Sequence, residues 1–181
     1  VMFYMQALCR WLFTVDPDGW SAAAAGYPCT DYREGDPRGS AFDRYRVQLL
    51  TGNESKFAQP PRRSRWGLWR GAGLPLRRYV FFPCQIPHDR SMRFVDRSEE
   101  EVIAALDRWA TRRRIPVVFK EHPKNKASMA PLRAVVTGPY SHWCDASVHD
   151  LIRHAAVVYT LNSGVGFEAL LHDKPVVTFG R

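Results

Sequence analysis

From Arg78 onward, apolar and polar positions fall into two alternating patterns. Tyr79–Phe82 is a short apolar run and predicts a strand. Ser98-Glu-Glu-Glu101 has the form of a capping box and predicts a helix start. That helix carries Val102, Ile103, Leu106 and Trp109 at helical spacing and extends to about Arg114. Ile115–Phe119 is continuously apolar, as in a strand buried on both faces. Arg133–Thr137 reads as another strand, and Ser147–His154 as a short helix with Leu151 and Ile152 inward. Ala155–Leu161 (strand), Gly164–His172 (helix) and Val176–Phe179 (strand) complete the series. Strands alternating with helices predict an α/β fold with a parallel sheet covered on both faces, and such sheets bind ligands at the carboxyl ends of their strands.

The first part of the chain has no such rhythm. Val1–Val15 is apolar but interrupted by Gln6 and Arg10, and reads as a buried helix. It lacks a small-residue cleavage site after a basic leader, so a signal peptide is not expected. Asp16-Pro-Asp-Gly-Trp20 signals a turn, Asp31–Asp43 is polar, and Arg44–Leu50 reads as a short helix or strand. Lys56–Arg78 is the compositional break. It holds Lys56, Arg62, Arg63, Arg65, Arg70, Arg77 and Arg78 and no acid, with prolines and glycines that oppose long regular structure. One reading is a solvated interdomain linker with Trp66 and Trp69 tucked onto a domain. The other is a contact with an anionic acceptor, a lipid headgroup or nucleic acid, which interleaved Arg and Trp suit equally well.

Composition narrows the class. Hydrophobic residues make up 45% of the 181, enough for a real core, and no apolar stretch is long enough to span a bilayer. Cys9, Cys29, Cys84 and Cys144 form no CxxC pair and read as free thiols. Cys144 lies near His142 and His149, but without a second ligand pair no metal site is expected. The formal net charge of +8 suits an anionic partner without choosing one. The chain does not begin with Met and stops at Gly180-Arg181, just after a strand, which is expected of a piece of a longer protein.

Three motifs carry candidate chemistry. In Asn162-Ser-Gly-Val-Gly-Phe-Glu168, after a strand and opening a helix, Gly164 and Gly166 allow close backbone approach. The helix start favours a phosphate, Ser163 adds a hydroxyl, and Glu168 is placed to accept from ribose hydroxyls. The alternative is an N-cap plus a turn. In Lys120-Glu-His122-Pro123-Lys124, His122 can donate to a phosphate or leaving oxygen, Pro123 fixes the turn, and Lys120, Lys124 and Lys126 raise the potential. A lone His after a strand is more often structural or exposed. In Pro83-Cys-Gln85-Ile-Pro-His88-Asp89, Gln85 can hold a sugar hydroxyl or carboxylate and Asp89 can act as base or nucleophile. The alternative is a polar loop with an Asx turn, and His88 is a weaker candidate.

Together these motifs resemble the capsule polysaccharide biosynthesis family, which includes Kdo transferases of capsule-linker and lipopolysaccharide assembly. The family pattern PxQxxxD, then HP, then NSxxGxEALxxxKPVxxxG is matched by Pro83–Asp89, His122-Pro123 and Asn162–Gly180, with Gly164 as an extra glycine. Asp16–Trp20 and Ser55–Pro60 also look like upstream family segments. The resemblance implies a GT-B-like α/β fold. Residues 76–181 would be a Rossmann-type donor domain, truncated at its C-terminus, and 1–75 part of an N-terminal acceptor-side domain with the basic linker.

The resemblance further implies a glycosyltransferase using a CMP-sugar donor such as CMP-Kdo and a lipid-linked saccharide acceptor. Asp89, Gln85 and His122 would be catalytic. His122, Pro123, Lys124, Asn162, Ser163, Gly164, Gly166 and Glu168 would bind the nucleotide. Retention of configuration, favoured in the family, would make Asp89 a nucleophile. Asp16-Pro-Asp18 matches a DxD metal motif only formally and lies in the wrong half, so neither metal nor cofactor is expected. The expected location is cytoplasmic, peripheral on the inner face of the inner membrane, with no nucleic-acid partner. Two rivals stand beside this reading: a CDP-glycerol-type glycerophosphotransferase, and a non-catalytic nucleotide- or lipid-binding module of capsule export.

Overall fold

The structure, a computed structural model, describes residues 2–6, 13–16, 40–86, 92, 95–125 and 129–180. Two compact units divide between Ala58 and Gln59. The first contains strands β1 (Phe3–Gln6) and β2 (Phe13–Asp16), paired antiparallel with Phe3 opposite Asp16, and helix α1 (Ser40–Gly52). The buried helix expected over Val1–Val15 is therefore corrected to two strands. Phe-Tyr-Met-Gln and Phe-Thr-Val-Asp are rich in aromatic and β-branched residues, which fit a pleated surface better than a helix. Arg44–Leu50 resolves as helix.

The second unit is a parallel five-stranded sheet in the order β5-β4-β3-β6-β7. The strands are β3 (Tyr79–Pro83), β4 (Val117–Lys120), β5 (Ser141–Trp143), β6 (Ala155–Thr160) and β7 (Val176–Thr178). Helices α2 (Arg65–Ala72), α3 (Glu99–Arg113), α4 (Ala130–Ala134), α5 (Val148–His154) and α6 (Val165–Leu171) accompany them. The central strand β3 is buried at every position, and its period of two divides the core. Tyr79 and Phe81 face Leu68, Leu151, Ile152 and Ala169, whereas Val80 and Phe82 face Ile103, Leu106, Ala110 and Phe119. The predicted capping box is present: Ser98 Oγ accepts from Glu101 N–H at 3.1 Å, and the Glu101 carboxylate accepts from Ser98 N–H at 2.9 Å.

Counted within this unit the strand order is 3-2-1-4-5, the Rossmann-type arrangement, and it reverses direction between β3 and β6. The parallel α/β expectation for 76–181 is met. The strand expected at Arg133–Thr137 is corrected: Ala130–Ala134 is helix, and the edge strand is Ser141–Trp143, with Ser141 beside Val117. Leu132, Val135 and Val136 fall at one-turn spacing and pack against the α3 side of the core, so their short apolar run serves a helical turn.

The basic segment also departs from a linker. From Gln59 it belongs to the sheet unit, with Leu68 and Leu74 buried in its core. The Asp150 carboxylate ties it down, accepting from Arg62 Nε at 2.5 Å and Arg63 N–H at 2.6 Å, while Gln59 Oε1 accepts from Val148 N–H at 2.9 Å. Trp66 and Trp69 are not tucked in. They are 61% and 43% exposed.

Candidate functional site

The carboxyl ends of β4, β3 and β6 lie side by side, so the segments that leave these strands share one edge of the sheet. Two strand spacings separate β4 from β6, about 10 Å. Gln85 stands in the middle, just past β3, and is buried. With its amide oriented so that the oxygen meets donors, that oxygen accepts from the main-chain N–H groups of Asn162 and Ser163, both at 2.9 Å, and the NH2 donates to Asn162 Oδ1 at 3.1 Å. This bridge ties β3 to the β6–α6 turn at the point where the strand order reverses. In the same turn Thr160 Oγ1 accepts from Ser163 N–H at 3.0 Å, and Ser163 Oγ accepts from Val165 N–H at 3.3 Å.

The two glycines of that turn stand in different settings. Gly164 has an ordinary helical conformation, φ −56° and ψ −17°. Gly166 is buried, and a Cβ there would lie 3.4 Å from both Thr160 Cγ2 and Val176 Cγ1. It lets α6 press onto β6 and β7, so it serves helix–sheet packing. Glu168 is buried too, at 4% exposure. The N–H groups of Gly166, Phe167 and Glu168 are already bonded to the carbonyls of Ser163 and Gly164.

On the other side of β3, His122-Pro123-Lys124-Asn125 forms a turn closed by Asn125 N–H donating to the His122 carbonyl at 2.9 Å. His122 Nδ1 accepts from Lys124 N–H at 3.1 Å. A neutral imidazole whose Nδ1 accepts carries its proton on Nε2, so the outer nitrogen is a donor. Pro123 and Lys124 are exposed. Lys120 contributes less positive potential than its sequence position suggests. Its side chain is nearly buried, and its ammonium is paired with Asp145 Oδ1 at 3.0 Å. Asp89, His88 and Lys126 lie outside the described residues.

Glu99, the first residue of α3, is a functional-site neighbour that the sequence pattern did not reveal. It is buried, and its Oε1 accepts from Gln85 N–H at 2.6 Å. Burial pushes its carboxyl up from 4.5 to about 7, against the lowering effect of the Gln85 N–H bond. The same carboxylate raises the buried Cys84 thiol, after burial itself. In sequence Glu99 is one of three consecutive glutamates, a pattern explained by helix-end charge; its burial is a tertiary fact. Cys84 and Cys144 are free and buried. His149 Nδ1 meets His172 Nε2 at 3.0 Å. Among the described residues, no three His, Cys, Asp or Glu gather where they would hold a metal ion.

A family model for capsule polysaccharide biosynthesis proteins matches residues 74–181, more than half of the chain. The chain belongs to that family. Among curated protein sequences none matches it. Among solved structures, the beta Kdo 2,4 transferase of Thermosulfurimonas dismutans KpsC is similar at a TM-score of 0.58 and 23% identity, over 76% of this chain and 43% of that one. The beta Kdo 2,7 transferase of the same protein aligns at a TM-score of 0.46 and 22% identity, over 76% and 47% of the two chains. A UDP-GlcNAc 2-epimerase from Methanocaldococcus jannaschii aligns at a TM-score of 0.50 and 13% identity, over 74% and 36%. This member of the capsule family thus spans less than half the length of each. At these identities the likeness to the 2,4 transferase and the epimerase is one of fold alone, a parallel Rossmann-like sheet domain.

Proposed function

We propose that the second unit is the donor-nucleotide half of a glycosyltransferase that moves a sugar, Kdo from CMP-Kdo, onto a lipid-linked saccharide in surface-polysaccharide assembly. The observation that carries this reading is the Gln85 bridge at the strand-order reversal, flanked by the His122-Pro123 turn, in a chain of the capsule family. Nucleotides bind doubly wound sheets at that reversal. When the sugar leaves, the CMP phosphate gains negative charge. His122 Nε2–H and the exposed Lys124 supply hydrogen bonding and positive charge at that position. Pro123 holds their turn, and Asn162, Ser163 and Gly164 form the opposite wall. Glu168, buried in α6, is the carboxylate assigned to the ribose hydroxyls, and Asp89 the one assigned to the anomeric carbon.

The reaction needs no metal or cofactor in this proposal, and takes place at the inner face of the inner membrane. A donor screen by mass spectrometry on the intact gene product tests it. Transfer from CMP-Kdo, lost in Asp89→Asn with CMP binding retained, is the expected result. Transfer of glycerol phosphate from CDP-glycerol would replace the sugar donor, and CMP binding without turnover of any donor would remove the catalytic assignment.

A further inference from the structure

Helix α2 presents an outward face that the sheet unit does not use. At about 100° per residue, Trp66, Trp69 and Arg70 share one arc and Leu68 points the opposite way. Leu68 is 2% exposed and anchors the helix in the core beside Leu151 and Ile152. Ser64 Oγ caps the start, accepting from Gly67 N–H at 3.1 Å, and Gly73 N–H closes the end on the Leu68 and Trp69 carbonyls. The outward arc is therefore held on a fixed frame. Its two indoles meet edge to face, with centroids 5.6 Å apart.

Cations flank this pair. Arg70 lies on the same arc, and the exposed Arg63 reaches α2, its guanidinium 3.3 Å from where a Cβ on Gly71 would lie. Lys56–Arg78 contains no acid. The carboxylate that approaches the segment, Asp150, is buried and bound to Arg62 and the Arg63 backbone. Neither Arg65 nor Arg70 has an acidic ion-pair partner among the described residues. Two exposed, adjacent tryptophans beside arginines in an acid-free segment form an apolar and cationic surface. They match the boundary of an anionic bilayer, where indoles sit at headgroup depth and arginines meet lipid phosphates.

We propose that the Trp66–Trp69–Arg70 face of α2 is a docking surface for an anionic lipid bilayer. It packs on the α5 side of the sheet, and a vesicle-binding test uses no sugar donor, so the assignment does not depend on which donor the carboxyl edge holds. No helix among the described residues is long and apolar enough to cross a membrane, and the contact is peripheral.

The test is cosedimentation of the chain with vesicles of phosphatidylcholine alone and of phosphatidylcholine with phosphatidylglycerol, at low and high salt. Binding to the anionic vesicles, weakened by salt, is expected. Trp66→Ala/Trp69→Ala should lower the partition coefficient at least tenfold with an unchanged melting temperature, because both side chains are exposed. Arg70→Glu, which keeps both indoles, should lower it severalfold. No binding to anionic vesicles, equal partition of the wild type and both variants, or Trp66- and Trp69-dependent retention on a single-stranded oligonucleotide in preference to vesicles would each overturn the proposal.

Discussion

Helix α3 buries two carboxylates, one at its start and one past its middle, in opposite settings. Asp107 sits toward the amino-terminal edge of the sheet and accepts from Thr137 N–H at 3.2 Å and from Gly138 N–H at 3.1 Å to both oxygens. It closes the turn that leads into β5. Glu99 sits at the carboxyl edge, accepts from Gln85 N–H, and titrates near neutrality. One site locks a turn by meeting a buried charge with two donors. The other keeps a carboxyl whose charged form is poorly compensated, beside polar side chains that converge on the strand-order reversal. Buried charge left under-compensated costs stability, and a fold keeps it most readily where chemistry uses it.

The largest expected effect separates the two by function. His122→Ala should reduce transfer by the intact gene product about a thousandfold, or ~4 kcal/mol, the scale of losing a donor aimed at developing charge. Its melting temperature should stay within a degree or two of wild type, since His122 is half exposed. Next is a change at the locked turn. A Cβ on Gly138 would lie 2.2 Å from Thr111 Oγ1 and 2.8 Å from Asp107 Oδ1. Gly138→Ala should cost about 3 kcal/mol in denaturant unfolding, with CMP affinity unchanged in the molecules that remain folded.

The third effect is a pH signature. Because folding raises the Glu99 pKa from 4.5 to about 7, its contribution to stability is greatest below pH 4.5 and is lost as pH rises to about 7. Glu99→Gln keeps an acceptor for Gln85 N–H and removes the charge. It should flatten that interval of the stability profile and be more stable than wild type at pH 8 by up to ~3 kcal/mol. A wild-type profile already flat between pH 4.5 and 7 would contradict the assignment. The smallest effect is at the bridge itself. Gln85→Ala removes contacts to Asn162 and Ser163 and should cost about 1 kcal/mol of stability, with roughly tenfold weaker CMP binding.

The sequence made the sheet legible where apolar runs were long and punctuated. Tyr79–Phe82, Val117–Phe119 and the Ala155–Phe179 succession lie close to where they were expected, because burial on both faces leaves few other ways to place such runs. Val1–Val15 and Arg133–Thr137 carry too few periods to separate helix from strand. The three motifs were correctly placed at one edge as far as they are described. What each polar residue touches was not legible. Gly164 and Gly166 look alike in sequence, yet one is an ordinary helical residue and the other a packing contact. Glu99 is indistinguishable from Glu100 in sequence, yet the first is buried and the second exposed. Of the two readings open for Trp66 and Trp69, the sheltered one fails, because Leu68 between them takes the inward position.

The central claim is that the carboxyl edge of β4, β3 and β6 holds a CMP moiety. Titration of the 15N-labelled chain with CMP, followed by amide chemical shifts, tests it most directly. Saturable shifts confined to Gln85, His122–Lys124 and Asn162–Gly166, with Thr137 and Gly138 unmoved, are the predicted result. Shifts centred on Asp107, or no saturable shift at the carboxyl edge, would contradict it.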